Sequence, residues 1–157
     1  VSDTLKNNID NYLSNYRMLN DYVVVGAARV IDIAFSIDLI LEKNANEGEI
    51  VTNVITKVSE YFSVDKMELG EDLALGSLRA FIMTQPGVLN LTDILVFNKV
   101  GGNYSQAVTT QPYINATTKQ IGLLDDTIYA QPNEILQIRF PNQDIAVRYK
   151  KPSKPVL

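Results

Sequence analysis

The pattern that most limits what this chain can become lies between residues 31 and 41. Apolar side chains stand at Ile31, Ile33, Phe35, Ile37, Leu39 and Leu41, one at every second position. Successive side chains of a strand point to opposite faces, so this spacing predicts a long β-strand with one wholly apolar face. The other face, Val30, Asp32, Ala34, Ser36, Asp38 and Ile40, is half polar. Such a strand belongs in an antiparallel sheet covered by helices on one side only.

The residues after it switch period. Asn46 with Glu49 three residues on makes a capping-box-like helix start. Ile50, Val51, Val54, Ile55, Val58, Tyr61 and Phe62 then fall on one helical stripe. Leu69-Gly70 breaks the direction, and Asp72 precedes a further helix with Leu75, Leu78, Phe81 and Ile82 on its apolar side. Pro86 stops that helix, Gly87 turns the chain, and Val88 to Val100 reads as a second strand ending at Gly101-Gly102. Residues 29–102 therefore form a strand-helix-helix-strand core of an α+β fold.

Residues 1–28 are an N-terminal helix and lead-in. Ser2 caps a helix over 3–19, whose stripe is Leu5, Ile9, Tyr12, Leu13 and Tyr16. Tyr22 to Gly26 is a short β-branched run that leads into the long strand. The helix stripe either packs on its own domain or meets a neighbouring subunit. Its two tyrosines favour the interface, so these five residues are the candidate contact set.

Residues 103–157 form a C-terminal β-hairpin region with a mobile basic tail. Val100 to Thr118 carries no charged side chain and reads as a connection or extended arm rather than a core element. Gln120–Leu124 and Thr127–Ala130 flank an Asp125-Asp126 turn, and a four-residue loop at Pro141–Asp144 joins Ile135–Phe140 to Ile145–Lys150 as a hairpin. Lys150, Lys151 and Lys154 lie among prolines at the end.

The chemistry available is narrow. The chain has no Cys, His or Trp, so it lacks a thiol nucleophile, an imidazole base and the usual zinc, copper or haem ligands. The expectation is a non-enzymatic protein with no cofactor, no metal and no small-molecule substrate. A net charge of −4 argues against nucleic acid, and no apolar run is long enough to span a bilayer. The absence of an initiator Met before Val1 suggests a piece of a longer polypeptide. Asp65, Glu68, Glu71 and Asp72 lack the order of a calcium loop and read as a solvated turn. Asp32 and Asp38 share a strand face but stand roughly 20 Å apart, too far for a catalytic carboxylate pair. Phe35 and Phe97 are expected together on the buried face, with no cluster of Arg and Lys beside them to bind single-stranded nucleic acid.

The order of elements over Ile31–Val100, with the Leu69-Gly70 step and the Pro86-Gly87-Val88 junction, resembles the baseplate J-like family of contractile phage tails and related injection machines. That resemblance implies a structural job: assembly with itself, as a homodimer or ring, and with other baseplate wedge proteins. It implies a place in the virion tail baseplate after assembly in the host cytoplasm, and it brings no catalytic motif. The residues alone leave an alternative, a βααβ-type ligand- or peptide-binding regulatory domain.

Overall fold

A computed structural model describes residues 2–14, 26–63, 66–111 and 113–153. Its centre is β1 (Arg29–Leu41), where all six alternating apolar residues are buried. On one side β1 pairs antiparallel with β3 (Val88–Lys99) along most of its length. Register slips in β3 between the partners of Asp38 and Leu39, and again between those of Ile40 and Leu41, leave bulges there. The fold is α+β, with this antiparallel pair at its heart.

Two helices cover the apolar face. α2 (Glu47–Tyr61) begins as the sequence requires: the Asn46 side chain accepts a hydrogen bond from Glu49 N at 3.3 Å. Glu47 and Glu49 place negative charge in the first turn, where the helix dipole favours it. Ile50, Val54, Val58 and Phe62 are buried, and the Phe62 ring meets Phe35 at 5.4 Å. Burying such side chains contributes on the order of 1.5–3 kcal/mol each, which offsets the middling helix propensity of Val and Ile. α3 (Leu75–Met83) buries Leu75, Leu78 and Ile82, while Phe81 lies half-buried against Tyr61.

Asp72 does not cap α3. The chain first forms β2 (Leu73–Ala74), pairing with β6 (Thr127–Ile128), and Asp72 instead accepts from Ala130 N at 2.7 Å. The first turn of α3 is served by Asp126, whose carbonyl accepts from Leu75 N at 2.9 Å and whose carboxylate pairs with Arg79. At the far end Gly87 adopts φ +83°, a conformation L side chains rarely take. A β-carbon there would stand 2.8 Å from Cγ1 of Ile50, so the turn and the helix packing both require glycine.

The C-terminal region departs furthest from expectation. β7 (Glu134–Gln137) and β8 (Ile145–Lys150) do not form a hairpin with each other. Both run parallel to β1 on its second edge, β7 beside Arg29–Asp32 and β8 beside Phe35–Ile40. The four residues read as a hairpin loop are a helical turn, α4 (Pro141–Asp144), with proline at its start. That turn offsets the chain along the edge without reversing it. Both alternating patterns survive, because Leu136, Ile138 and Ile145 still enter the core.

The Asp125-Asp126 turn is present, with both residues at positive φ; its arms meet in one bridge, Leu124 with Thr127, and beyond it pair elsewhere. β4 (Tyr113–Ile114) takes β5 (Ile121–Gly122), while β6 takes β2. The tail is anchored at its start: Lys151 Nζ donates to the carbonyls of Glu42 and Ala45 at 2.9 and 2.8 Å. Residues 154–157, the predicted lead-in over 22–25 and helix positions 15–19 lie outside the described residues.

Candidate interaction surfaces

α1 (Asp3–Ser14) forms where Ser2 predicts it, with Ser2 Oγ accepting from Leu5 N at 3.2 Å. Its apolar stripe is not absorbed by the core. Leu5 is 49% exposed, Ile9 37% and Tyr12 63%, while Leu13 is half-buried. Tyr16, the fifth member of the contact set, lies outside the described residues. The helix thus presents an amphipathic face of the kind that other helices of this chain bury.

The second surface is the sheet face turned away from α2 and α3. Register places Ala34, Ser36, Asp38 and Ile40 of β1 on it, flanked by Leu95 and Phe97 of β3 and by Ala146, Arg148 and Lys150 of β8. Phe97 therefore sits opposite Ala34 on the open side, not with Phe35 in the core. The reason is parity: an odd-numbered residue of β3 shares a face with an even-numbered residue of β1 at this end of the pair. Leu95, Phe97, Ser36 and Ile40 are half-buried, and Ala146 is exposed. Asp38 holds Arg148 in a two-pronged ion pair at 2.8 and 3.0 Å, and with Asp93 of β3 the pair forms a charged row across the middle of this face.

At the Asp32 end the uncharged segment that the sequence marks as a mere connection wraps the end of the sheet, meeting Asp32 on the open face and Asn98, the partner of Ile33, on the other. Asp32 is fully buried, with one carboxylate oxygen accepting from Ser105 N at 2.7 Å and the other from Gln137 Nε2 at 3.0 Å. Asn98, also buried, accepts from Thr109 N at 2.7 Å and donates to the carbonyls of Asp32 and Ala107. Glu134 accepts from Arg29 Nη1 and Gln131 N, both at 2.8 Å, while Arg29 Nη2 reaches the Val108 carbonyl. Asp144 accepts from Tyr104 Oη at 2.7 Å and from Phe140 N at 3.0 Å. That hydrogen bond to Asp144 is the main reason the Tyr104 hydroxyl is pushed up to about 12, with burial adding to it. Residues 104–109 are thus strapped across the sheet, and Thr109 and Gln111 are buried with them.

Sequence reading missed this strap because its partners are scattered singly along the chain. The sequence offered little signal: Asp32 and Asp38 both stand on the half-polar face of the strand, and only the burial of Asp32, which demands partners, tells them apart. The acidic turn is structural as well: Glu71 accepts from Glu68 N at 2.8 Å and Asp72 ties down Ala130, while Asp65 is outside the described residues. A groove also runs between the first turns of α2 and Gln85–Gly87, with Asn53 Nδ2 donating to Gln85 Oε1 across it. Among the described residues no group of three or more acidic side chains is placed to hold a metal ion, and no helix is long and apolar enough to cross a membrane.

No known family model matches the chain, and no curated protein matches it.

Proposed function

We propose that the chain is a structural subunit of a phage tail baseplate, similar to the C-terminal part of the baseplate wedge ring protein of T4-like phages, and that it works by assembling with copies of itself and with other wedge proteins. The observation that carries this reading is the apolar stripe of α1, left exposed at Leu5 and Ile9 although the chain has a core of its own. An amphipathic helix contributes stability only when its apolar side is covered, so a stripe of this kind calls for a partner. The resemblance over Ile31–Val100 supplies the kind of partner. In a ring, symmetry repeats one modest interface at every copy, and the assembly is stable although each contact is small.

The strapped sheet suits a part that must transmit load. Its ends are fixed by buried, fully hydrogen-bonded side chains rather than by loops alone. An antibody raised against the chain should decorate contractile particles, made from the genome that encodes it, at the tail end distal to the head in negative-stain micrographs. Label confined to non-particulate material, or spread along the tail, would overturn the assignment.

A further inference from the structure

We propose that the outer edge of β8 takes an added β-strand from a partner protein, an extended segment with acidic side chains at alternate positions. This surface is separate from the α1 contact and does not depend on self-assembly. The sheet has two outer edges, and the fold treats them differently. Along β3 the edge is blunted: Leu89 and Thr92 are skipped in the register with β1 and bulge the strand. Met83 Sδ accepts from Leu91 N at 3.1 Å, and the turn at Lys119 and Gln120 bridges Phe97 and Asn98. Such devices keep a sheet edge from recruiting another strand.

The β8 edge has none of them. Its six residues follow β1 from Phe35 to Ile40 without a slip and contain no proline. The Ile145 N–H is taken by the helical turn before it. Over residues 146–150, no described residue outside β1 hydrogen-bonds to the β8 backbone. The outward amides and carbonyls are thus left for a strand of another chain, whose main chain supplies the matching groups.

Charge selects the strand. The row Asp93–Asp38–Arg148 ends at this edge in its cation, and the Arg148 side chain stays 70% exposed although Asp38 holds it. Lys150, on the same face, is exposed and has no carboxylate partner among the described residues. Carboxylates opposite these two continue the alternation of sign across the sheet. On the other face Val147 is half-buried and Tyr149 stands exposed beside Glu47, which favours apolar partner residues there and disfavours acidic ones. A second β8 is the wrong occupant, because antiparallel pairing of two copies gathers Arg148 and Lys150 of each along one face.

The test is a synthetic peptide alternating glutamate and valine, long enough to lie along β8, titrated into the isotope-labelled chain at neutral pH. Amide resonances over 146–150 should shift while those of β3 stay in place. Binding should be roughly tenfold tighter than that of a lysine–valine peptide, because two cross-strand charge pairs change sign. Lys150→Glu, at an exposed side chain, should narrow that preference to about threefold or less. Of the two alternate patterns of backbone N-methylation on the peptide, one should abolish the shifts and the other spare them, since only one set of N–H groups faces β8. No shift over 146–150 with the peptide in millimolar excess, equal binding of the two charge patterns, shifts that survive both methylation patterns, or shifts centred on β3 would each overturn the proposal. So would β8 resonances that move with protein concentration alone, which would put a second copy on this edge.

Discussion

Replacing Asp32 by alanine should destabilise the protein by about 3 kcal/mol, the order expected when buried partners of a charged group are left unpaired. The carboxylate is fully buried and holds both Ser105 N–H and the Gln137 amide. Removing it leaves both donors, on the half-buried Ser105 and Gln137, without that acceptor, and the segment over 104–109 loses its direct hold on the Asp32 side chain. Asp38→Ala is the matched comparison: the same residue type, on the same face of the same strand, but paired with an exposed Arg148. That change should cost under about 1 kcal/mol, as surface ion pairs do. Urea denaturation of the two variants checks this directly. Equal losses would show that the strap does not stabilise the fold.

The second large effect is expected at Gly87→Val. Valine would have to adopt φ +83° and drive its β-carbon against the Ile50 side chain. Backbone strain of about 1–3 kcal/mol and a comparable overpacking term put the expected loss near 4 kcal/mol. Gly76→Ala is the control, because that glycine lies in α3 with nothing near its would-be β-carbon. It should be neutral or stabilising by about 0.5 kcal/mol, since alanine favours the helix. Thermal unfolding of both variants tests the pair, and a mild Gly87→Val would mean that α2 is not clamped by this turn.

These two residues also mark how far sequence reasoning reaches. Gly87 was legible because its cause is local: proline ends the helix, and the next residue must turn. The same holds for the buried face of β1, the Asn46 cap and the stripes of α2 and α3, all of which follow from spacing within one element. Asp32 carried no such local sign. Its partners lie 73 and 105 residues away, and no periodicity encodes such pairings. The C-terminal strands failed for a related reason. Alternation at 135–140 and 145–150 identifies strands but not their neighbours, and two strands a short turn apart look like a hairpin. Here a helical turn carries the chain onward along the same edge without reversing it, so both strands meet β1 in parallel, one after the other. The face occupied by Phe97 was misread because Ile94, Leu95, Val96 and Phe97 are apolar in a row, so spacing within β3 does not say which two of them face the core. The candidate contacts on α1 were visible at once, since amphipathicity is written in the helix itself, although what they touch is not.

The mass of the unmodified chain across a concentration series, by sedimentation or light scattering, tests the central claim that α1 exists to join subunits. The expected mass rises from 17.5 kDa toward twice that value or beyond, and returns to 17.5 kDa in the Leu5→Asp, Ile9→Lys double variant with circular dichroism unchanged. That variant keeps a favourable charge pair four residues apart, so the helix itself survives. A wild-type mass fixed at 17.5 kDa at every concentration, or a double variant that assembles as before, would contradict that claim.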